Sequence, residues 1–296
     1  MSKEFWFVII ASVLYGAITP GGQFFIDIGL SLFEVSLYRV LFISLTILPV
    51  VLIKREYLIK KEMTFFFVVY GMIGALLELT QFAGIVFGVP VAIVVLLLYS
   101  QPIWTILFAR IMLDEPITTR KVASAVIALS GVVVLIKSWE IKSVDSALGI
   151  IASILGGIVL SLWVIWGRKS GINKQHYLTT TIGWSAFSAI WLILLWPTVN
   201  LFVDKPSIIQ LSAGLPLQYW PQFLAFGFIA GVVPHLLFYR GIRKIHASIA
   251  GIILLLEPVS ATVLAAIIFS QPIGLNIISG GGLILLSNYL IISKPE

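Results

Sequence analysis

The sequence contains no cysteine, which excludes disulfides, thiolate nucleophiles and cysteine–metal sites. Histidine is scarce, with only His176, His235 and His246, and no His, Asp and Glu residues stand at metal-ligand spacing. No catalytic residue, metal or cofactor is therefore assigned. Charge is scarce too: 11% of residues are charged, against about a quarter in a soluble domain. The deficit runs from end to end and leaves no polar stretch long enough for a separate soluble domain.

What the chain has instead is apolar length, with 59% hydrophobic residues and a mean hydropathy of +1.08. A helix crossing a bilayer needs about 20 mostly apolar residues. Ten segments qualify: Phe5–Phe25, Phe33–Ile53, Phe65–Phe87, Val91–Leu113, Val122–Ile136, Ala147–Trp166, Tyr177–Trp196, Trp220–Tyr239, Ala247–Phe269 and Ile273–Ile292. Phe5–Phe25 follows Lys3 as a signal sequence would, but no small-residue cleavage pattern comes after it, so it is read as the first span. Val122–Ile136 is short, with Arg120 and Lys121 snorkelling at one end and Trp139 at the opposite interface. Trp6, Trp196 and Trp220 read with Trp139 as an interfacial belt.

The connecting segments alternate in charge. Lys3, Lys54, Arg55, Lys60, Lys61, Arg110, Arg120, Lys121, Arg168, Lys169, Lys174, Arg240, Arg243, Lys244 and Lys294 fall on one side, 15 of the 19 basic residues. The other side has Lys137, Lys142 and Lys205, and Arg39 lies within a span. Positive charge stays inside, so both termini are expected in the cytoplasm and the Pro197–Tyr219 loop outside, in a cell (inner or plasma) membrane. Basic clusters placed this way set topology and do not call for nucleic acid.

The sequence also resembles itself. At a shift of 156 residues, Gln101-Pro102 falls on Glu257-Pro258 and Glu115-Pro116-Ile117 on Gln271-Pro272-Ile273. The same shift superposes Gly71 on Gly227, Phe82 on Phe238 and Leu98 on Leu254. Ile9-Ile10-Ala11-Ser12 matches Ile150-Ile151-Ala152-Ser153 at a shift of 141, the difference being an insertion in the second half. Each half has five spans, and an odd number makes the second copy enter the membrane from the opposite side. The expected fold is all-α and integral to the membrane: ten transmembrane helices as two inverted five-helix repeats, 1–140 and 145–296, around a central cavity. Inverted repeats let one scaffold open alternately to either face.

Charged and polar side chains at bilayer depth are costly, so they usually face a cavity or a partner. Glu78 with Gln81 one turn on, Tyr99 with Gln101, and Glu257 lie near the middle of the third, fourth and ninth spans. A carboxyl held there can keep a proton until the site opens to water, which makes Glu78 and Glu257 candidates for proton coupling. Glu257 has a structural alternative, bonding backbone groups freed by Pro258. His235 and Tyr239, one turn apart, lie toward the cytoplasmic side as either a relay or a satisfied pair. Arg39 reads either as snorkelling beside Glu34 or as a substrate contact. Trp163 either stacks on an organic substrate or packs. Gly16, Thr19, Pro20, Gly21 and Gly22 interrupt the first span, and Pro20, Pro102 and Pro258 are candidate hinges because proline removes a backbone bond.

Tyr99-Ser100-Gln101-Pro102, then Leu113-Asp114-Glu115-Pro116-Ile117-Thr118, then Ser130-Gly131-Val132 resemble the drug/metabolite transporter superfamily, EamA-type branch. Leu256-Glu257-Pro258 and Gly280-Gly281-Gly282 repeat the pattern in the second half. Gln271 stands where a glutamate is usual, and Tyr15-Gly16 where Trp-Gly or Trp-Ser is frequent. Glu78 and Thr105-Ile106-Leu107-Phe108-Ala109 resemble the aromatic amino-acid exporter subgroup. The resemblance implies a helical basket with Trp163 in its cavity and a transporter, not an enzyme, exporting amino acids or related small polar metabolites by alternating access, as a monomer or homodimer. A multidrug or organic-cation carrier of the same fold, or another metabolite carrier, is the alternative. An integral-membrane lipid-modifying enzyme is a rival of another class, and it lacks a catalytic cluster here.

Overall fold

The computed structural model describes residues 2–87, 89, 91–136, 146–203, 205–212, 214–269 and 273–293. Lys137, Trp139, Lys142, Gln271, Pro272 and Lys294 lie outside the described residues, as does the side chain of Gln81. The described residues are helical, without a strand. The helices are α1 (Lys3–Tyr15), α2 (Ile18–Asp27), α3 (Leu32–Ile53), α4 (Thr64–Val86), α5 (Val91–Leu98), α6 (Gln101–Leu113), α7 (Thr119–Leu135) and α8 (Ala147–Ile172). They continue as α9 (Tyr177–Phe202), α10 (Pro206–Ile209), α11 (Trp220–Phe226), α12 (Val233–Ile242), α13 (Ala247–Ile253), α14 (Leu256–Phe269) and α15 (Leu275–Ile292).

Nine helical stretches among the described residues are long and apolar enough to cross a membrane. Helix α7 is not one of them: it has 17 residues, or about 26 Å at 1.5 Å per residue, short of the roughly 30 Å hydrocarbon core. It packs along α15. A Cβ on Gly280 would lie 2.6 Å from the Gly131 carbonyl oxygen, so the two backbones touch only because both residues are glycine. Outward-facing Leu45, Ile111, Leu194 and Leu285 are exposed, as lipid-facing residues must be.

Four of the long stretches are broken, and the breaks matter for the site. The first parts at Gly16–Ala17, ahead of Pro20, and Gly16 abuts α14 so closely that a Cβ would sit 2.0 Å from Ser260 Oγ. The α5–α6 stretch turns at Tyr99–Ser100, with Ser100 N–H bonded to Leu97 O at 3.2 Å, and α13–α14 turns alike, with Leu255 N–H bonded to Ile252 O at 3.1 Å. Each turn comes just before a proline, Pro102 or Pro258, whose ring crowds the preceding turn. The stretch that ends in α12 passes through a π-helical segment, Gly227–Val232, just before Pro234. Gly156 and Gly157, in contrast, leave α8 unbroken. Pro197 does not end α9, which runs on to Phe202, so the Pro197–Tyr219 segment begins as helix and holds the short helix α10 further on. A proline's missing N–H is tolerated where neighbouring helices support the turn.

The two halves interleave. Helix α4 packs on α8 and α9, α1 on α12 and α14, α3 on α9, and α5 and α6 on α8. Side chains from both halves therefore meet at mid-helix depth.

Candidate functional site

The site begins at the N-terminus of α3. Ser31 caps it in a reciprocal capping box: Glu34 N–H donates to Ser31 Oγ at 3.1 Å, and Ser31 N–H to Glu34 Oε2 at 2.8 Å. The other carboxylate oxygen of Glu34 accepts from Ser212 Oγ at 2.6 Å, and Tyr38 donates to Ser212 O at 2.8 Å. Glu34 thus straps the 210–212 segment over the start of α3 and leaves Arg39 to another partner. Arg39 lies five residues beyond Glu34, about 7.5 Å at helical rise. It does not snorkel beside Glu34. It donates to the carboxylate of Glu78 on α4, and both residues are buried, 5% and 4% exposed. Glu78 therefore has a cation beside it in this structure, which the sequence reading of a mid-span carboxyl able to keep a proton did not include.

Arg39 and Glu78 form one wall of a cavity that Tyr15, Ile18, Leu77, Leu98, Tyr99, Leu160, Trp163, Trp184, His235, Leu254 and Glu257 complete. The break at Tyr99 and the break before Glu257 bring Tyr99 and Glu257 together in this cavity. Opposite them is an aromatic group. His235 stacks on Trp184 with centroids 4.4 Å apart and 16° between planes, and Tyr15 meets His235 edge-on at 5.0 Å. Trp163 stacks on Phe238 at 4.7 Å. His235 Nδ1 is 2.7 Å from Gly231 O. A carbonyl only accepts, so Nδ1 carries the proton and Nε2 is the acceptor of the neutral ring.

The remaining space is about 60 Å³, room for about two waters at roughly 30 Å³ each. The site is closed down around its own side chains. Toward the basic ends of the helices, the Tyr70 hydroxyl lies 3.0 Å from Trp163 O and 2.8 Å from the Tyr239 hydroxyl. With one proton to give, Tyr70 donates to the carbonyl and accepts from Tyr239. A second cavity of about 330 Å³ is almost wholly apolar; Leu32, Phe33, Leu192, Val199 and Phe202 line it, and Glu78 borders it as well.

Of the residues expected from sequence, Glu78, Tyr99, Trp163, His235 and Glu257 meet at this cavity. Tyr239 sits beneath it, fully buried against Tyr70. Gln101 is elsewhere: its amide donates to Thr105 Oγ1 and packs on Gly251 of α13, so it belongs to the α6–α13 contact. A glutamine two residues past a helix break turns with the new helix and not with Tyr99. Sequence reasoning did not single out Trp184 or place Tyr15. The signal for Trp184 was its depth, since tryptophan avoids the middle of a span unless it has a polar neighbour. Among the described residues no group of three His, Asp or Glu could hold a metal.

Comparison with known proteins adds to this geometry. A sequence model of the EamA-like transporter family matches residues 2–137 and 147–293. An uncharacterized transporter of Archaeoglobus fulgidus is 27% identical over 193 residues, covering 65% of this chain and 64% of its own length. The uncharacterized transporter YyaM of Bacillus subtilis is 26% identical over 238 residues, 79% of this chain and 74% of its own. An uncharacterized transporter of Clostridium kluyveri is 21% identical over 289 residues, 95% and 90%. One solved crystal structure shares the fold with a TM-score of 0.78 at 15% identity, covering 98% of this chain and 97% of its own.

Proposed function

The chain belongs to the EamA-like transporter family and is a multi-pass membrane transporter, and from that premise we propose that it exports small polar organic metabolites, amino acids or related compounds, by alternating access about the Tyr99–Trp163–Glu257 cavity. One observation carries this reading. At mid-helix depth a single cavity combines an ion pair, a carboxylate–tyrosine pair and an aromatic box, with Tyr15, Arg39, Glu78 and Tyr99 from the first half and Trp163, Trp184, His235 and Glu257 from the second. Charged groups recognise a zwitterion's ends, and rings take its apolar body.

Helix packing supports two inverted five-helix repeats, near 1–140 and 145–296. Exchanging the halves turns the α1–α12 contact into α8–α4 and the α1–α14 contact into α8 with α5 and α6, while α3–α9 and α7–α15 map onto themselves. A twofold axis in the membrane plane produces this pattern. On this reading both termini are cytoplasmic, Pro20, Pro102 and Pro258 act as hinges, and Glu78 or Glu257 carries protons. The thermal stability of the purified protein, screened against amino acids, amines and nucleotides, tests the substrate class. Ligands of the folded form raise its melting temperature. Amino acids are expected to do so, and stabilisation by organic cations alone would move the assignment to a multidrug carrier.

A further inference from the structure

We propose that Arg39 anchors a carboxylate of the transported molecule, that Glu78 holds this place in the empty site, and that a proton loads onto Glu78 when substrate displaces it. The inference rests on the cavity being the substrate site, and it adds the chemical class of the ligand and the sense of coupling.

Three observations converge. First, among the described residues Arg39 has one hydrogen-bond partner, Glu78. Arginine presents five N–H groups in a fork that matches a carboxylate bidentately. None of its remaining nitrogens is a buried atom without a partner, although Arg39 is only 5% exposed. Arg39 is also one of the residues that line the cavity. Second, a guanidinium stays protonated, so some anion must face it in every state closed from water. Glu78 does so here. Third, about 60 Å³ cannot admit an organic metabolite, whose sites usually measure about 300 Å³ or more. An entering molecule must move something, and the ion pair is the polar contact that a carboxylate can replace in kind.

When the ligand's carboxylate takes Arg39, Glu78 is left beside a second anion and without its cation. It takes up a proton, since two ionised carboxylates crowd one guanidinium. Other titratable groups face the same space. Tyr15 comes from α1, and Glu34 lies five residues before Arg39 on α3, bound to Ser31 and Ser212. Tyr99 and Glu257 line it together, and His235 on α12 holds Gly231 O. Glu257 is the one other carboxylate of the described residues lining the cavity, and so the natural control. Proton and substrate then occupy the carrier together and travel in the same direction, so that export runs on the substrate's own gradient.

The test uses the purified full-length protein in detergent, with benzoate, 3-phenylpropionate and free amino acids, each amino acid beside its amide and its decarboxylated amine. Binding is measured between about pH 5.5 and 8; one linked proton makes the affinity rise up to about tenfold for each pH unit lowered. Acids are expected to bind with that slope, and amides and amines to bind at least tenfold more weakly. Glu78→Gln mimics the protonated state, so it should bind acids as tightly at high pH as at low. Glu257→Gln, at a residue that lines the same cavity, is expected to lower the affinity at every pH while its slope stays that of wild type. The double variant Arg39→Gln/Glu78→Gln, which leaves no lone buried charge, should fold and lose acid binding. A slope that survives Glu78→Gln, or that Glu257→Gln abolishes, overturns the proposal. Equal binding of acids, amides and amines overturns it too, while leaving the cavity as a substrate site. Failure of every acid to bind both wild type and Glu78→Gln removes Arg39 as an anchor, and flux measurements then judge the transport reading separately.

Discussion

The guanidinium of Arg39 on α3 donates to the carboxylate of Glu78 on α4, and the two charges face each other in the wall of a cavity at mid-helix depth. A charge so placed is expensive in an apolar environment, and its partner offsets most of the cost. Neither residue can be understood alone: Glu78 is the one hydrogen-bond partner of Arg39 among the described residues, and Arg39 is the cation that faces Glu78.

That dependence predicts a coupled stability effect. Arg39→Gln or Glu78→Gln alone should destabilise the protein by about 3 kcal/mol, since each takes the opposite charge away from a buried ion. The double variant should recover most of the loss. Melting temperatures of the four proteins in one detergent form the double-mutant cycle, and additive effects would show that the pair does not couple.

Pro102→Ala and Pro258→Ala should slow transport more than they weaken ligand binding. Both prolines stand in the first turn after a break, at Tyr99–Ser100 and Leu254–Leu255, where two helical segments can pivot. Alanine permits a continuous helix and stiffens the pivot. Exchange rates and ligand affinities measured on the same preparations separate the effects, and lost affinity with normal exchange would place the prolines in the binding site.

Ser207, exposed on α10 in the segment after α9, should lie outside the cell. Fifteen of the nineteen basic residues flank the opposite helix ends. The protein has no cysteine of its own, so Ser207→Cys provides a single label. An impermeant thiol reagent should react with intact cells, whereas labelling only after lysis would reverse the topology and undo the inverted-repeat argument.

His176 predicts a pH dependence of stability. Its Nδ1 accepts the Leu178 N–H at 3.3 Å at the start of α9, and its ring stacks on Tyr57 with centroids 4.1 Å apart. Burial, then the nearby Arg243 cation, holds its pKa below the usual 6.5. The folded state thus binds its proton less readily than the unfolded chain. Its contribution is present above the ordinary histidine value and is lost as pH falls through the lowered one. His176→Asn should flatten this part of the melting temperature's pH profile. An unchanged profile would show that His176 does not contribute.

Much of the fold was legible because the bilayer restricts the options to apolar helices with polar groups inward. The third, sixth and seventh spans, and Glu78, Tyr99, Trp163, His235 and Glu257 as cavity residues, follow from that restriction. What was not legible was pairwise. Arg39 and Glu78 are 39 residues apart, and nothing in either helix alone tells that they meet and not Arg39 and Glu34. Gln101 was misplaced because the break at Tyr99–Ser100 rotates the face that α6 presents. The end of α9 was misread because Pro197 signals a boundary in isolation, while packing in the bundle carries the helix past it.

Flux through proteoliposomes tests the central claim most directly. The ligand that most stabilises the purified protein would be followed across vesicles, with and without an imposed pH gradient, for wild type, Glu78→Gln and Glu257→Gln. Wild type should carry that ligand and respond to the gradient, and at least one variant, Glu78→Gln foremost, should lose the response while keeping gradient-independent movement. Identical responses in all three proteins would contradict proton coupling through this cavity and leave a facilitator driven by the substrate gradient; no flux of any stabilising ligand would contradict the transport site itself.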